Sequence, residues 1–443
     1  MDEKIREIFE RSIIENNIPG EDYVRWNVKK GLRNEDGTGV LIGLTRIADV
    51  IGYEMVDGKK TDCEGELLYR GIKLTEIAKN IGGGRIGAYE EIAFLILFGH
   101  LPNEAELAAF TKELRENYEY KPGFINQYIL NNKSPNVMNK IQTALLAMYV
   151  EDENADDCSV ENTLRQGLNV IAKMPQLICY SYAVKHHHLD GESLIIHHVD
   201  SSKSIAENIL SLTRPDQKYS EKEAELLDLM LVLHMDHGAG NNSTFTNIVV
   251  SSTETDLYSS LSASVGALKG PRHGGANISA ANMMQAVIDE IGLDATDAQI
   301  EEIINRILNK DFFDKKGLVY GMGHAIYTLS DPRAEILKEK VREVYVGGLE
   351  RFEFYQRFEE IAKRVIYKEH GKAVCANVDF YSGLVYSALG IPADLYTPLF
   401  ICARTVGWLA HNIENKLYCN RIVRPAGKYV GEEHEYIKPE DRK

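Results

Sequence analysis

No apolar run in the 443 residues approaches the length of a membrane span, so a helical integral membrane protein is excluded. The chain also lacks a CxxC pair. Its six cysteines, Cys63, Cys158, Cys179, Cys375, Cys402 and Cys419, are scattered without histidines at metal-ligand spacing, which removes a zinc framework and a redox pair. Free thiols in a reducing compartment are expected instead. Basic charge is in deficit: 50 Lys and Arg face 66 Asp and Glu, a net charge of -16, which leaves no concentrated basic field for nucleic acid. Anionic ligands must therefore be met by local clusters. Internal repeats, low-complexity tracts and long flexible linkers are missing as well. The N-terminal MDEKIREIFERSIIENN interleaves acids with apolar residues at helical spacing, whereas signal peptides need an apolar core and transit peptides avoid acids. A cytoplasmic location is expected.

What the chain does contain is helical periodicity. Apolar residues recur at three and four over 88–99, 103–118, 161–185, 220–234, 276–291, 297–309, 332–345 and 349–368. Ser220 with Glu223 and Thr296 with Gln299 form capping-box pairs at two of the starts. The expected class is all-α. Residues 39–57, GVLIGLTRIADVIGYEMVDG in their context, alternate and turn instead, which predicts a small antiparallel sheet there. The acidic EDENADD at 151–157 reads as a solvated loop. Glycines at 270–275 and 321–323, and the loop before Asp379, are the expected backbone hinges.

Several Gly- and Pro-bounded segments each deliver one polar group: GPRHGGAN carries His273, GMGHAIYTLSDPRA carries His324 and Arg333, and NVDFYSG carries Asp379. Arg404 follows in ARTVGWLAHNIE and Arg424 in RIVRPAGKYVG. Taken singly, the histidines read as turn side chains, Asp379 as an N-cap of a helix starting near Tyr381, Arg404 as half of a buried ion pair, and Arg424 as an exposed tail residue. Taken together they suit proton transfer at carbon on a dicarboxylate. Guanidinium forks match carboxylates, imidazoles polarise carbonyls, and a carboxylate can serve as base. Asp331 and Pro332 read as N-cap and first helical residue, which puts Arg333 in a first turn that also favours anions. His234, Asp236 and His237 offer a rival reading as metal ligands, but no HExxH or third-ligand pattern supports it. The His-rich stretches flanking LDGESLII are read as a solvated turn region.

These segments, in this order, resemble the citrate synthase family, as do residues 65–78, 90–107, 233–245 and 266–277. The resemblance runs from about residue 40 to the C-terminus. It implies a large helical domain (1–275 and 381–443) with a smaller inserted one (276–380), and a homodimer whose C-terminal tails complete the partner's site. It further implies that acetyl-CoA, a co-substrate and not a bound cofactor, condenses with oxaloacetate. By the same resemblance Asp379 would be the base, His273 the donor to the thioester oxygen and His324 the donor to the ketone. His237, Arg333, Arg404 and Arg424 would hold oxaloacetate. Val319, Tyr320, Gly321, Met322 and Gly323 would cradle the adenine, with Lys372 near the phosphates. Thr328 and Ala376 depart from the family pattern, where a basic residue and a proline are common. Three readings stay beside it: 2-methylcitrate synthase with propionyl-CoA, a metal-dependent hydrolase, and a non-catalytic helical scaffold.

Overall fold

Every residue from Tyr396 to Asn412 is buried, so the helix Tyr396–Tyr418 has no solvent face over most of its length. A helix apolar all round belongs in the middle of a protein, and this one packs against helices Ala88–Phe98, Val160–Asp190, Glu221–His234 and Asn242–Ser251. It thereby sets Arg404 and His411 deep inside the helical layers. The structure, a computed structural model, describes residues 2–81, 86–344, 349–419 and 421–442.

The periodic segments fold as helices close to their expected bounds, among them Ala276–Ile291, Asp297–Leu308, Pro332–Val344 and Leu349–His370. Residue 345 of the expected 332–345 segment lies outside the described residues. Both capping boxes form: Ser220 and Thr296 accept from the backbone N–H groups of Glu223 and Gln299, whose side chains reach back. The helix from Val160 runs to Asp190, further than the apolar period suggests, so His186, His187 and His188 are helical and not part of a turn. The segment 151–157 also departs from a plain solvated loop. Asp152, with a side chain only 7% exposed, pairs with Arg165 at 2.8 Å and accepts from Tyr258 Oη at 2.8 Å.

The sheet is antiparallel, as expected, but shifted. It comprises β1 (Ala48–Val56), β2 (Lys59–Tyr69) and β3 (Ile72–Lys73). Residues 40–47 form no strand, and the longest strand lies past the expected window. Polar side chains occupy most of β2, which hides its period from a search on apolar residues. Asp57–Gly58 and Arg70–Gly71 all take positive φ (52°, 74°, 49° and 86°), the backbone of two-residue hairpin turns that match strand twist.

The chain divides into two compact units, Gly43–Ile422 and a smaller one of Met1–Ile42 with Val423–Lys443. In the smaller unit, Asp2 caps the helix Glu3–Glu15 by accepting from Lys4 N and Ile5 N. Lys428 there lies 4.4 Å from the centre of the Trp26 ring.

Candidate active site

The strap 234–238 leaves the helix Glu221–His234 and lies against the Arg404 helix. Arg404 Nε donates to His234 O at 2.8 Å. Its Nη1 is buried without a hydrogen-bond partner, and no described acid forms an ion pair with it. The ion-pair reading of Arg404 is therefore corrected. Burial lowers its pKa to about 10, only partly opposed by the charge of Asp236. A buried guanidinium with a spare N–H is a receptor for a carboxylate.

The segments 319–333 and 375–379 meet side by side. Met322 and Ala376 form an antiparallel bridge. Gly323 N donates to Cys375 O at 2.7 Å, Asn377 N to Gly321 O at 2.9 Å and Asn377 Nδ2 to Gly323 O at 2.8 Å. Gly321 takes φ +81° and a Cβ there would lie 2.7 Å from Phe380 Cβ, so only glycine allows this approach. Asn377, not Asp379, caps the helix Val378–Ala388 by accepting from Asp379 N at 3.0 Å. The N-cap reading of Asp379 is corrected: its Oδ1 is buried and unpartnered. Burial pushes this carboxyl up to about 7, with Asp331 adding to the shift and Arg333 and Arg404 opposing it.

Arg333 stands where the sequence puts it, in the first turn of Pro332–Val344, and Asp331 accepts from its backbone N at 3.0 Å. The same carboxylate takes Arg333 Nε at 3.0 Å and Nη2 at 2.7 Å, a bidentate pair with both side chains at most 4% exposed. Burial opposes both charges, but mutual attraction wins: Arg333 is raised and Asp331 lowered. Asp331 Oδ2 also accepts from Val378 N at 3.1 Å, which ties the arginine to the Asp379 helix.

Burial keeps the imidazoles neutral. It takes His234 down to about 3 and His273 to about 4, and holds His237 well below its ordinary value with help from Arg333 and His324. His324 Nδ1 accepts from Ile326 N and Tyr327 N, both at 3.1 Å, so the neutral ring carries its proton on Nε2. The His324 ring stacks on Tyr327 at 4.7 Å and meets the His237 ring edge-on at 5.1 Å. His273 Nε2 lies 3.0 Å from Ser243 Oγ, which accepts from Trp408 Nε1 at 3.2 Å.

His237, His324, Arg333, Arg404 and Asp379 thus form one electrostatically connected cluster, and Arg404 extends it to His273. Arg424 is exposed in the smaller unit. In the 319–323 loop, Val319 is buried, Tyr320 Oη donates to Asp314 at 2.5 Å, and Gly321 O and Gly323 N are taken up by the 375–377 segment. Lys372 is exposed beyond the helix Leu349–His370. His234, Asp236 and His237 do not converge: His234 Nδ1 donates to Met230 O, Asp236 faces His411, and His237 packs on His324. Among the described residues no three His, Cys, Asp or Glu side chains gather as a metal site. Sequence reasoning passed over Ser243, Tyr327 and Trp408. Each lies within a quoted motif, but only its packing reveals a task.

Over residues 36–426 the sequence matches the family model described as citrate synthase, C-terminal domain. A citrate synthase of Haloferax volcanii is 34% identical over 424 residues, 94% of this chain and 99% of that protein. A 2-methylcitrate synthase 2 of Corynebacterium glutamicum is 30% identical, covering 85% and 92%. The solved ternary complex of carboxymethyl coenzyme A and oxaloacetate with citrate synthase from Thermoplasma acidophilum is 27% identical, covers 94% of this chain and 99% of that one, and superposes with a TM-score of 0.75.

Proposed function

Because the chain belongs to the citrate synthase family, we propose that it is an acyltransferase that condenses acetyl-CoA with oxaloacetate and hydrolyses the thioester to citrate and CoA. One observation carries the reading at this site: a guanidinium (Arg404) and a carboxyl (Asp379) are both buried with an unpartnered atom, among imidazoles held neutral. Leaving such groups unpaired is costly unless a ligand completes them.

The chemistry follows from the protonation states. Ionised Asp379 takes a methyl proton from acetyl-CoA. A carboxylate is a weak base for a carbon acid, so His273 must stabilise charge growing on the thioester oxygen. Ser243 Oγ, which donates to Asn241 Oδ1 at 3.0 Å, lies against His273 Nε2 and holds the ring in place. The enol carbon then attacks the ketone of oxaloacetate, and His324 Nε2–H is the donor for the oxygen that becomes an alkoxide. Arg333 and Arg404, with Arg424 of the partner subunit, take the carboxylates, and His237 joins them at oxaloacetate. Water finally cleaves the thioester. The loop 319–323 and Lys372 serve CoA. The scheme needs no resident metal or cofactor and works in a cytoplasmic homodimer.

Residues 276–380 act in this reading as a smaller lobe. His324, Arg333 and Asp379 come from it, while His237, His273 and Arg404 come from outside it, so closure assembles the site. The test is thiol release from acetyl-CoA: dependence on added oxaloacetate is expected, and release without it overturns the reading. The Corynebacterium relative favours a second substrate, propionyl-CoA. One methylene is worth only about 1–3 kcal/mol in a pocket, so comparing the two acyl-CoAs at fixed oxaloacetate decides; strong preference for propionyl-CoA makes this a 2-methylcitrate synthase.

A further inference from the structure

His237 has an unpartnered Nε2, so no hydrogen bond from that atom fixes the ring. Its aim must come from the backbone on either side. Asp236, immediately before it, is 0% exposed, and its Oδ2 accepts from Gly238 N, immediately after it, at 2.9 Å. The same Oδ2 faces His411 Nε2 at 3.2 Å, and His411 is 1% exposed. Tyr69 Oη lies 3.3 Å from both the backbone N and O of Asp236. One carboxylate therefore grips the turn on both sides of His237.

The grip is built on one face of the helix Tyr396–Tyr418. Arg404, Gly407 and His411 are spaced three and four apart, which places them along one side. Arg404 holds the start of the strap through His234 O, and His411 holds Asp236. Between them, a Cβ on Gly407 would lie 2.5 Å from both Met235 O and Asp236 Oδ1, so the absent side chain is what lets the strap lie flush. Asp236 is held ionised, because His411, Arg404 and Gly238 N together outweigh its burial.

Resting on the function proposed above, we propose that Asp236, Gly407 and His411 are positioning residues that seat the 234–238 strap and aim His237 at oxaloacetate. They touch no reacting atom in this scheme. Their loss is expected to act on one substrate and spare the other, which a merely structural role would not do.

The experiment uses the full-length enzyme, first confirming oxaloacetate-dependent thiol release in the unaltered protein. If that fails, the functional reading fails and not this inference alone. With it in place, Asp236→Asn is expected to weaken oxaloacetate binding, read by calorimetry without CoA, by about tenfold or more, while the KM for acetyl-CoA changes by less than about twofold. His411→Leu is expected to do the same, and His411→Gln, which keeps a donor near that point, to recover most of the loss. Unchanged oxaloacetate affinity in Asp236→Asn overturns the proposal, as does an equal loss for both co-substrates. Should Asp236→Asn not fold, the two His411 variants decide: equal oxaloacetate affinities for them overturn it.

Discussion

At Asp379 the same burial governs catalysis and stability. As a base it must be ionised, so with its pKa near 7 the kcat/KM for acetyl-CoA is expected to fall as pH drops below about 7. For stability the sign runs the other way: folding raises this carboxyl from 3.8, so the folded state binds the proton more tightly and loses stability as pH rises through the folded pKa. Asp379→Asn is therefore expected to abolish turnover while raising Tm at pH 8, with the gain shrinking at pH 5; thermal melts at both values check it, and near-normal activity removes Asp379 as base. Arg333→Ala behaves differently, because it strands Asp331 at 0% exposure. A loss of about 3–5 kcal/mol is expected from an uncompensated buried charge, together with weaker oxaloacetate binding. Melts with and without oxaloacetate separate the two effects, and an unchanged dissociation constant contradicts the assignment. The cap at Asp331 was legible from Asp-Pro-Arg alone. That its carboxylate also binds Val378 N was not, since that contact joins residues 47 apart in sequence.

Among the elements, the hairpin β1–β2 acts on the site through two glycines. A Cβ at Gly52 would lie 2.5 Å from Ile326 O, and one at Gly65 2.1 Å from Ser330 O, both on the loop between His324 and Arg333. Gly65→Ala is expected to destabilise by about 1–3 kcal/mol, the usual cost of overpacking, and to lower kcat/KM by displacing that loop. Melting and steady-state rates test this; a variant with wild-type values for both shows that the hairpin does not position the loop. Helices were readable because amphipathic spacing and Ser/Thr caps are local signals, as at Ser220 and Thr296. The sheet was displaced in the reading because β2 is stabilised by pairing with β1, a partner that side-chain alternation in β2 does not announce.

For the whole molecule, the proposed exchange of tails has a direct test. Arg424→Ala and Asp379→Ala subunits, each inactive alone, are expected to regain part of the activity when mixed; no rescue in demonstrated heterodimers means each site is contained in one chain. The -16 charge fits a molecule that meets anions through a few buried arginines and not through a basic surface. The identity of those arginines was visible in the sequence, but their unequal pairing, Arg333 engaged and Arg404 with a spare N–H, depends on packing. The bridge between Met322 and Ala376 has a mechanical result. With the hydrogen bonds of Gly321, Gly323 and Asn377 it laces the His324 and Asp379 segments into one piece, so a movement of the proposed lobe would carry both together. On the proposed function, what is left to vary is their common separation from His237, His273 and Arg404, so one closing movement would precede proton abstraction.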